Sequence, residues 1–226
     1  MHLLILGRGK TGSLVAQIAH ERRHHVHVLG AADNQDARAL TPEFLAETDV
    51  VIDFSIPSAV ILNIEACLRA GKNMVVGTTG WHGHLPRIRE MVEAAGTGFL
   101  FGANFSIGVN VFFEIARAAA SALNYEYVGQ IFERHHAKKK DAPSGTAMTL
   151  QKILREGGGR ELEIVSFREG EVVGMHEVVL NSVNDRIYLC HDSNSRRGFA
   201  EGAVRAAEWL AGKRGFFEFR EMWKDL

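Results

Sequence analysis

Cysteine is scarce in this chain: Cys67 and Cys190 are the only two in 226 residues, and neither sits in a metal-type pair. That argues against a disulfide framework and points to a reducing, cytoplasmic compartment. Net charge is close to nil at −1, so a general nucleic-acid or membrane surface finds no support. No apolar run is long enough to span a bilayer. The N-terminus enters a strand-like run at once, which leaves no signal peptide to expect. Internal repeats are lacking, and the one low-complexity stretch is Gly157-Gly158-Gly159. What is present, 46% apolar and 23% charged residues, is the composition of an ordinary soluble globular protein.

The first half alternates strand and helix. Leu3 to Leu6 is an apolar run closed by Gly7-Arg8-Gly9-Lys10-Thr11-Gly12, and Leu14, Val15, Ile18 and Ala19 then recur at helical spacing. A second strand, Val26 to Leu29, completes a unit of about 30 residues, the size of βαβ. Val50 to Phe54 hardly alternates, as expected of a parallel strand covered on both faces. Pro57 suits a first helical turn, Gly71 ends that helix, and Met74 to Val76 and Phe99 to Phe101 are further strands. The order implies a Rossmann-type, doubly wound parallel α/β sheet. After Phe105 the pattern changes. A helix from about Val109 to Leu123, a strand Tyr127 to Glu133 and a helix from Thr146 to about Glu156 come first. The glycine triplet, read as a flexible turn, precedes strands at Ile164 to Phe167, Val172 to Leu180 and Arg186 to Cys190. This half reads as an inserted α+β domain on a mixed or antiparallel sheet. A helix from Phe199 to Leu210 and an aromatic tail at Phe216, Phe217, Phe219 and Trp223 complete the chain.

The glycine loop follows a strand and opens a helix. Gly7 permits the turn, Gly9 lets a pyrophosphate reach the backbone, and Gly12 allows close helix–strand packing, with the helix N-terminus facing the phosphates. Arg8, Lys10 and Thr11 complete the candidate cofactor loop. A P-loop would need a glycine where Leu4 stands, inside the strand. Asp33, after the second strand, is the candidate acceptor from the adenosine ribose. An acid there leans toward NAD, while Arg8, Lys10 and Arg38 leave a 2′-phosphate possible, so NADH and NADPH both stay open.

The richest segment runs from Glu133 to Ala147: Glu-Arg-His-His-Ala-Lys-Lys-Lys-Asp-Ala-Pro-Ser-Gly-Thr-Ala. Imidazoles exchange protons near neutrality, and lysines supply fixed charge. His135 and His136 at a strand end project to opposite faces. Ser144 is placed as an N-cap, with Gly145 and Thr146 as the first helical residues and their N–H groups able to bind a carboxylate.

With Val51-Ile52-Asp53-Phe54-Ser55, Gly77-Thr78-Thr79-Gly80 and Ala103 to Asn110, this segment gives the chain a close resemblance to the 4-hydroxy-tetrahydrodipicolinate reductase (dihydrodipicolinate reductase) family of bacterial lysine and diaminopimelate synthesis. The resemblance spans nearly the full chain. It implies NAD(P)H-dependent reduction of a cyclic dicarboxylate bearing a C=N bond. It implies His135 and Lys139 as proton-handling catalytic residues, and His136, Gly145, Thr146 and Thr79 as substrate contacts. Gly77, Thr78, Thr79, Gly102, Ala103, Asn104 and Phe105 become cofactor contacts, and Arg196 matches a hinge-region arginine. It further implies a homotetramer, with a dinucleotide-binding domain at 1–105 plus 196–226, a substrate-binding and oligomerisation domain at 106–195, and the active site in the cleft. Lys138 and Lys140 fall at variable positions, and their crowding is expected to lower the Lys139 pKa by like-charge repulsion. The glycine loop is one residue shorter than the family's usual form. Another nicotinamide-dependent imino- or amino-acid reductase, or a non-catalytic dinucleotide-binding protein, are the alternative readings.

No metal is expected. His20, His24, His25 and His27 read as surface residues near a helix C-terminus, His82 and His84 as residues of a loop near the cofactor, and Arg168, His176 and His191 as structural.

Overall fold

A computed structural model describes residues 1–223; the side chain of Trp223, one of the expected tail contacts, and residues 224–226 lie outside the described part. The chain divides into two compact units, Met1–Ser106 with the segment from Arg197 onward, and Ile107–Arg196.

The first unit is a six-stranded sheet with helices. Its elements in order are β1 (His2–Leu6), α1 (Lys10–Glu21), β2 (His25–Leu29), α2 (Pro42–Leu45), β3 (Val50–Asp53), α3 (Pro57–Arg69), β4 (Asn73–Val76), α4 (Leu85–Ala95) and β5 (Gly98–Phe101). The second unit follows with α5 (Ile107–Ala119), β6 (Val128–His135), α6 (Gly145–Gly158), β7 (Glu163–Arg168), β8 (Met175–Asn181) and β9 (Arg186–Asp192). The chain then returns with α7 (Arg197–Leu210), β10 (Gly215–Glu218) and α8 (Phe219–Trp223).

In the first unit the strand order is β10-β5-β4-β3-β1-β2, and every pairing is parallel. This is the doubly wound sheet that the continuous apolar runs foretell, because residues on both faces need cover. Val50, Val51, Ile52, Met74, Val75, Phe99 and Leu100 have no exposed surface. Each such side chain contributes roughly 1.5–3 kcal/mol by leaving water. Chain order reverses beside β1, where β2 lies on one side and β3 on the other. A doubly wound sheet opens its ligand crevice at the carboxyl ends of strands around such a point. The aromatic tail adds a strand the sequence did not announce. Phe216 and Phe217 lie in β10, paired parallel to β5, with the Phe216 ring stacked on Phe99 at 5.2 Å.

In the second unit the order is β7-β6-β8-β9, with β6–β7 parallel and the other pairs antiparallel. One face packs on α5 and α6 through Phe112, Ala116, Ile131, Leu150, Leu154, Val178 and Leu180. The expected long helix after Ser106 ends as α5 and tightens into a 3₁₀ turn at Ala120–Asn124. The glycine triplet is no flexible turn. Gly157 and Gly158 belong to α6, and only Gly159 is left-handed, closing the helix at φ 68°. A Cβ on Gly157 would stand 2.6 Å from Ala120 Cβ, and one on Gly158 2.5 Å from Leu123 Cβ. These glycines let the 3₁₀ turn lie directly on the helix.

Candidate active site

In the first unit the glycine loop is built by contact. Gly7 has φ +113°, and a Cβ there would meet Phe54 O at 2.2 Å. A Cβ on Gly12 would meet Gly7 O at 2.1 Å, whereas at Gly9, the residue before α1, nothing lies within 4 Å. Two glycines thus serve packing, and the third leaves open space at the start of a 12-residue helix, as a pyrophosphate requires. A cavity of about 260 Å³ opens there, lined by Gly9, Lys10, Thr11, Phe54, Ser55, Pro57, Gly77, Thr78 and Thr79. The two glycine-bearing turns expected to hold cofactor therefore share one wall. The donors and open backbone fit a dinucleotide.

Asp33 is already engaged: it accepts from Gly30 N at 2.9 Å and pairs with Arg8 at 3.0 Å. Gly102, Ala103, Asn104 and Phe105 follow β5 and do not line this cavity. The Phe105 ring is buried between Phe54 and Phe219, which leaves its main chain for any cofactor contact. His82 and His84 lie in a 3₁₀ turn, with the His82 ring stacked on Trp81.

Asp53 went unassigned in the sequence and organises this edge. Fully buried, it accepts from Ser55 N at 2.9 Å, Ser55 Oγ at 2.7 Å, Thr78 Oγ1 at 2.6 Å and Asn63 Nδ2 at 2.8 Å. Asn63 in turn accepts from Asn34 Nδ2 at 2.9 Å. Burial raises the Asp53 pKa against these hydrogen bonds.

In the second unit the segment from Glu133 to Ala147 runs from the end of β6 into α6. Strand alternation buries Glu133 and His135 on one face and leaves His136 half-exposed. Ser144 caps α6, its Oγ accepting from Ala147 N at 3.2 Å. Gly145 and Thr146 form the first turn, where N–H groups point out of a helix end. Lys139 Nζ lies 2.8 and 2.9 Å from the two oxygens of Asp141. That lysine holds the Asp141 carboxyl below the usual range. The expectation of crowded cations around Lys139 thus omitted a carboxylate partner. His136 Nε2 lies 3.1 Å from the Arg196 guanidinium.

Arg168 and His176, read from sequence as structural, stand in the same buried cluster. Arg168 donates to both oxygens of Glu133, at 3.0 and 2.7 Å, and to Asp141 O at 2.6 Å. Glu133 Oε2 is 2.5 Å from His135 Nδ1, and Oε1 accepts from Ser144 N at 3.3 Å. His176 Nε2 lies 3.0 Å from Ser144 Oγ, and its ring meets that of His135 edge-on at 5.1 Å. Burial works to raise the Glu133 pKa, but Arg168, Ser166 and His135 outweigh it and hold it at about 2. Burial lowers the His135 pKa in spite of Glu133. Burial, with the charge of His135, takes His176 to about 3. The available signal was Glu-x-His on a strand, since residues two apart share a face.

Among the described residues, Glu133, His135 and His176 are the one trio of potential metal ligands that converges. Both Glu133 oxygens already hold a guanidinium, so an ion there would have to displace Arg168. The histidines around α1 disperse instead: His24 pairs with Glu208 at 2.9 Å, His25 stacks on His2, and His27 meets Phe44.

The described residues contain no helix long and apolar enough to cross a membrane. Comparison with known proteins matches residues 1–105 to the family described as dihydrodipicolinate reductase, N-terminus, and residues 108–223 to its C-terminus. A 4-hydroxy-tetrahydrodipicolinate reductase of Christiangramia forsetii is 38% identical over 240 residues, covering 100% of this chain and 99% of its own. One from Chromobacterium violaceum is 35% identical, covering 81% of this chain and 77% of its own. The solved structure of dipicolinate-bound dihydrodipicolinate reductase from Paenisporosarcina sp. TG-14 has a similar fold, with a TM-score of 0.80 at 22% identity over 98% of each chain.

Proposed function

The chain belongs to the dihydrodipicolinate reductase family, and from that premise we propose how its residues share the work of reducing 4-hydroxy-tetrahydrodipicolinate. The enzyme is an NAD(P)H-dependent oxidoreductase of diaminopimelate and lysine synthesis. NADH or NADPH supplies the hydride when bound; the protein's part is orientation, charge and a proton. Residues 1–105 and 196–226 form the dinucleotide-binding domain, and 106–195 the substrate and oligomerisation domain. The open backbone at Gly9 and the shared wall of Lys10, Thr11, Gly77, Thr78 and Thr79 support the first assignment. Gly7 and Gly12 contribute by packing, Arg8 and Asp33 at the adenosine end, and Gly102 to Phe105 through their main chain.

The substrate is a dianion, and two separate grips suit its two carboxylates. The Gly145–Thr146 turn takes one, and His136 helps fix the other end. The reduction releases the 4-hydroxyl as water, and Lys139 and His135 handle the proton that the carbon beside the reduced centre must receive. The observation that carries this reading is that one short segment sets His135 and the α6 N-terminus on the buried Glu133 carboxylate, with Lys139 beside them on the exposed Asp141. Lys139 is held by Asp141, an exposed carboxylate, so substrate carboxylate can exchange with that partner. General acid catalysis of this kind contributes about 10²–10⁴-fold. Cofactor oxidation with freshly prepared 4-hydroxy-tetrahydrodipicolinate is therefore expected to lose about 10²–10⁴-fold in kcat on Lys139→Ala, with cofactor affinity retained. Equal rates would remove Lys139 as the acid.

The protein works as a homotetramer in the cytoplasm. The sheet face opposite α5 and α6 supports that assembly: Val128, Phe167 and Tyr188 are 59%, 40% and 55% exposed along β6, β7 and β9, an apolar surface that needs cover. Sedimentation equilibrium of wild type and Tyr188→Asp tests it, a monomeric wild type being the contrary result.

A further inference from the structure

We propose that Glu133, gripped by Arg168, is the positioning residue of the substrate site: one carboxylate fixes both the tautomer of His135 and the place of the Ser144–Thr146 turn. This rests on the reading that His135 acts in the reduction.

Four donors converge on this fully buried group, two from Arg168, one from Ser144 N and one from His135 Nδ1. A carboxylate only accepts, so the proton between Glu133 and His135 sits on Nδ1. The ring then turns Nε2 away from Glu133. A Cβ on Gly174 would stand 3.0 Å from that Nε2, so the glycine keeps this nitrogen clear, and no protein group among the described residues bonds to it. The other oxygen of Glu133 holds Ser144 N, at the cap of α6. Ring and carboxylate-binding turn are thereby set by the two ends of one group, and Arg168 fixes that group from β7. Such carboxylate–imidazole pairs orient a ring without touching substrate. The charged and titratable groups facing His135 are Glu133 from β6, Arg168 from β7, His176 from β8 and Lys139 from the following loop.

Glu133→Gln makes a sharp prediction. Arg168 Nη2 and Ser144 N both need an acceptor at Oε1, so the amide oxygen takes that place, and the NH₂ faces His135 at the cost of the longer Arg168 Nη1 bond to Oε2. Nδ1 must then accept, and the ring changes to the Nε2–H tautomer. Nitrogen-15 spectra of histidine-labelled protein read this directly. Wild type is expected to show His135 as Nδ1–H above its titration, and Glu133→Gln as Nε2–H. In turnover, kcat is expected to fall roughly 10²-fold with a displaced pH profile, while cofactor Kd changes less than about twofold because the cofactor residues belong to the other unit. Glu133→Asp, which keeps the charge, should recover the wild-type tautomer and part of the rate. A wild-type His135 found as Nε2–H overturns the proposal even if neither variant folds. So does a Glu133→Gln enzyme with unchanged tautomer and pH profile. Lack of any turnover by the wild type would instead refute the functional reading and leave the spectral result standing.

Discussion

Each unit buries one carboxylate at a strand end, and the two are held in opposite ways. Asp53 in the first unit is surrounded by neutral donors, Ser55, Thr78 and Asn63, and its pKa is raised, burial being the cause. Glu133 in the second is clamped by a guanidinium and sits at about 2. Both organise a glycine-bearing turn. On the roles proposed above, the difference follows from what each site would have to do. A dinucleotide site needs the backbone exposed at close quarters, and neutral bonds suffice to shape the loops. A site that handles protons for a dianion needs a fixed charge pattern, and a neutral acid could not hold one imidazole in one tautomer.

The comparison breaks most severely if Arg168 is removed. Arg168→Ala leaves Glu133 ionised and buried without a counter-charge, which costs about 3–5 kcal/mol. Urea unfolding followed by tyrosine fluorescence would measure it, since all three tyrosines lie in the second unit and all three tryptophans fall in the first unit's sequence. A loss under about 1 kcal/mol would mean the clamp is no stronger than an exposed pair.

Acid sharpens the contrast next. Glu133 and His176 both have folded pKa values below their ordinary ones, about 2 against 4.5 and about 3 against 6.5. For each, the unfolded chain binds the proton first, so stability falls as pH drops, from 6.5 toward 3 for His176 and from 4.5 toward 2 for Glu133. Asp53 has the reverse sign. Its raised folded pKa gives stability that is full below the ordinary 3.8 and is lost as pH rises through the folded value. Between pH 7 and pH 4 the tyrosine-reported transition is therefore expected to move down more than the tryptophan-reported one. Parallel shifts would show that these buried groups do not govern acid stability.

The glycine loop and the α6 cap were legible because both are local. Gly7, Gly9 and Gly12 are spaced for one turn, and Ser144 lies three residues before the N–H it caps. Arg168 and His176 were not, because only the pairing of β6 with β7 and β8 brings them to Glu133. His176 sits opposite Glu133 in the antiparallel register, and Arg168 beside His135 in the parallel one. β10 escaped for the same reason, its partner β5 being distant in sequence. Gly157 and Gly158 misled because a glycine run resembles a turn until the residues it packs against, Ala120 and Leu123, are known.

The smallest expected effect lies at Asp53. Asp53→Asn keeps an acceptor for Ser55 and Thr78, but it sets an NH₂ against Asn63 Nδ2. Asn63 can turn its amide over, which transfers the mismatch to Asn34, half a network away from the glycine loop. With no charge lost from a neutral surrounding, the cost is that of one compromised buried hydrogen bond, about 1–3 kcal/mol. Cofactor Kd, read by nicotinamide fluorescence, should weaken severalfold through the displaced Thr78 turn. The same chemical change at Glu133, acid to amide, should leave cofactor Kd alone and act on the proton step. If the two substitutions prove interchangeable in their effects on Kd and kcat, the division of labour between neutral and charged anchoring does not hold.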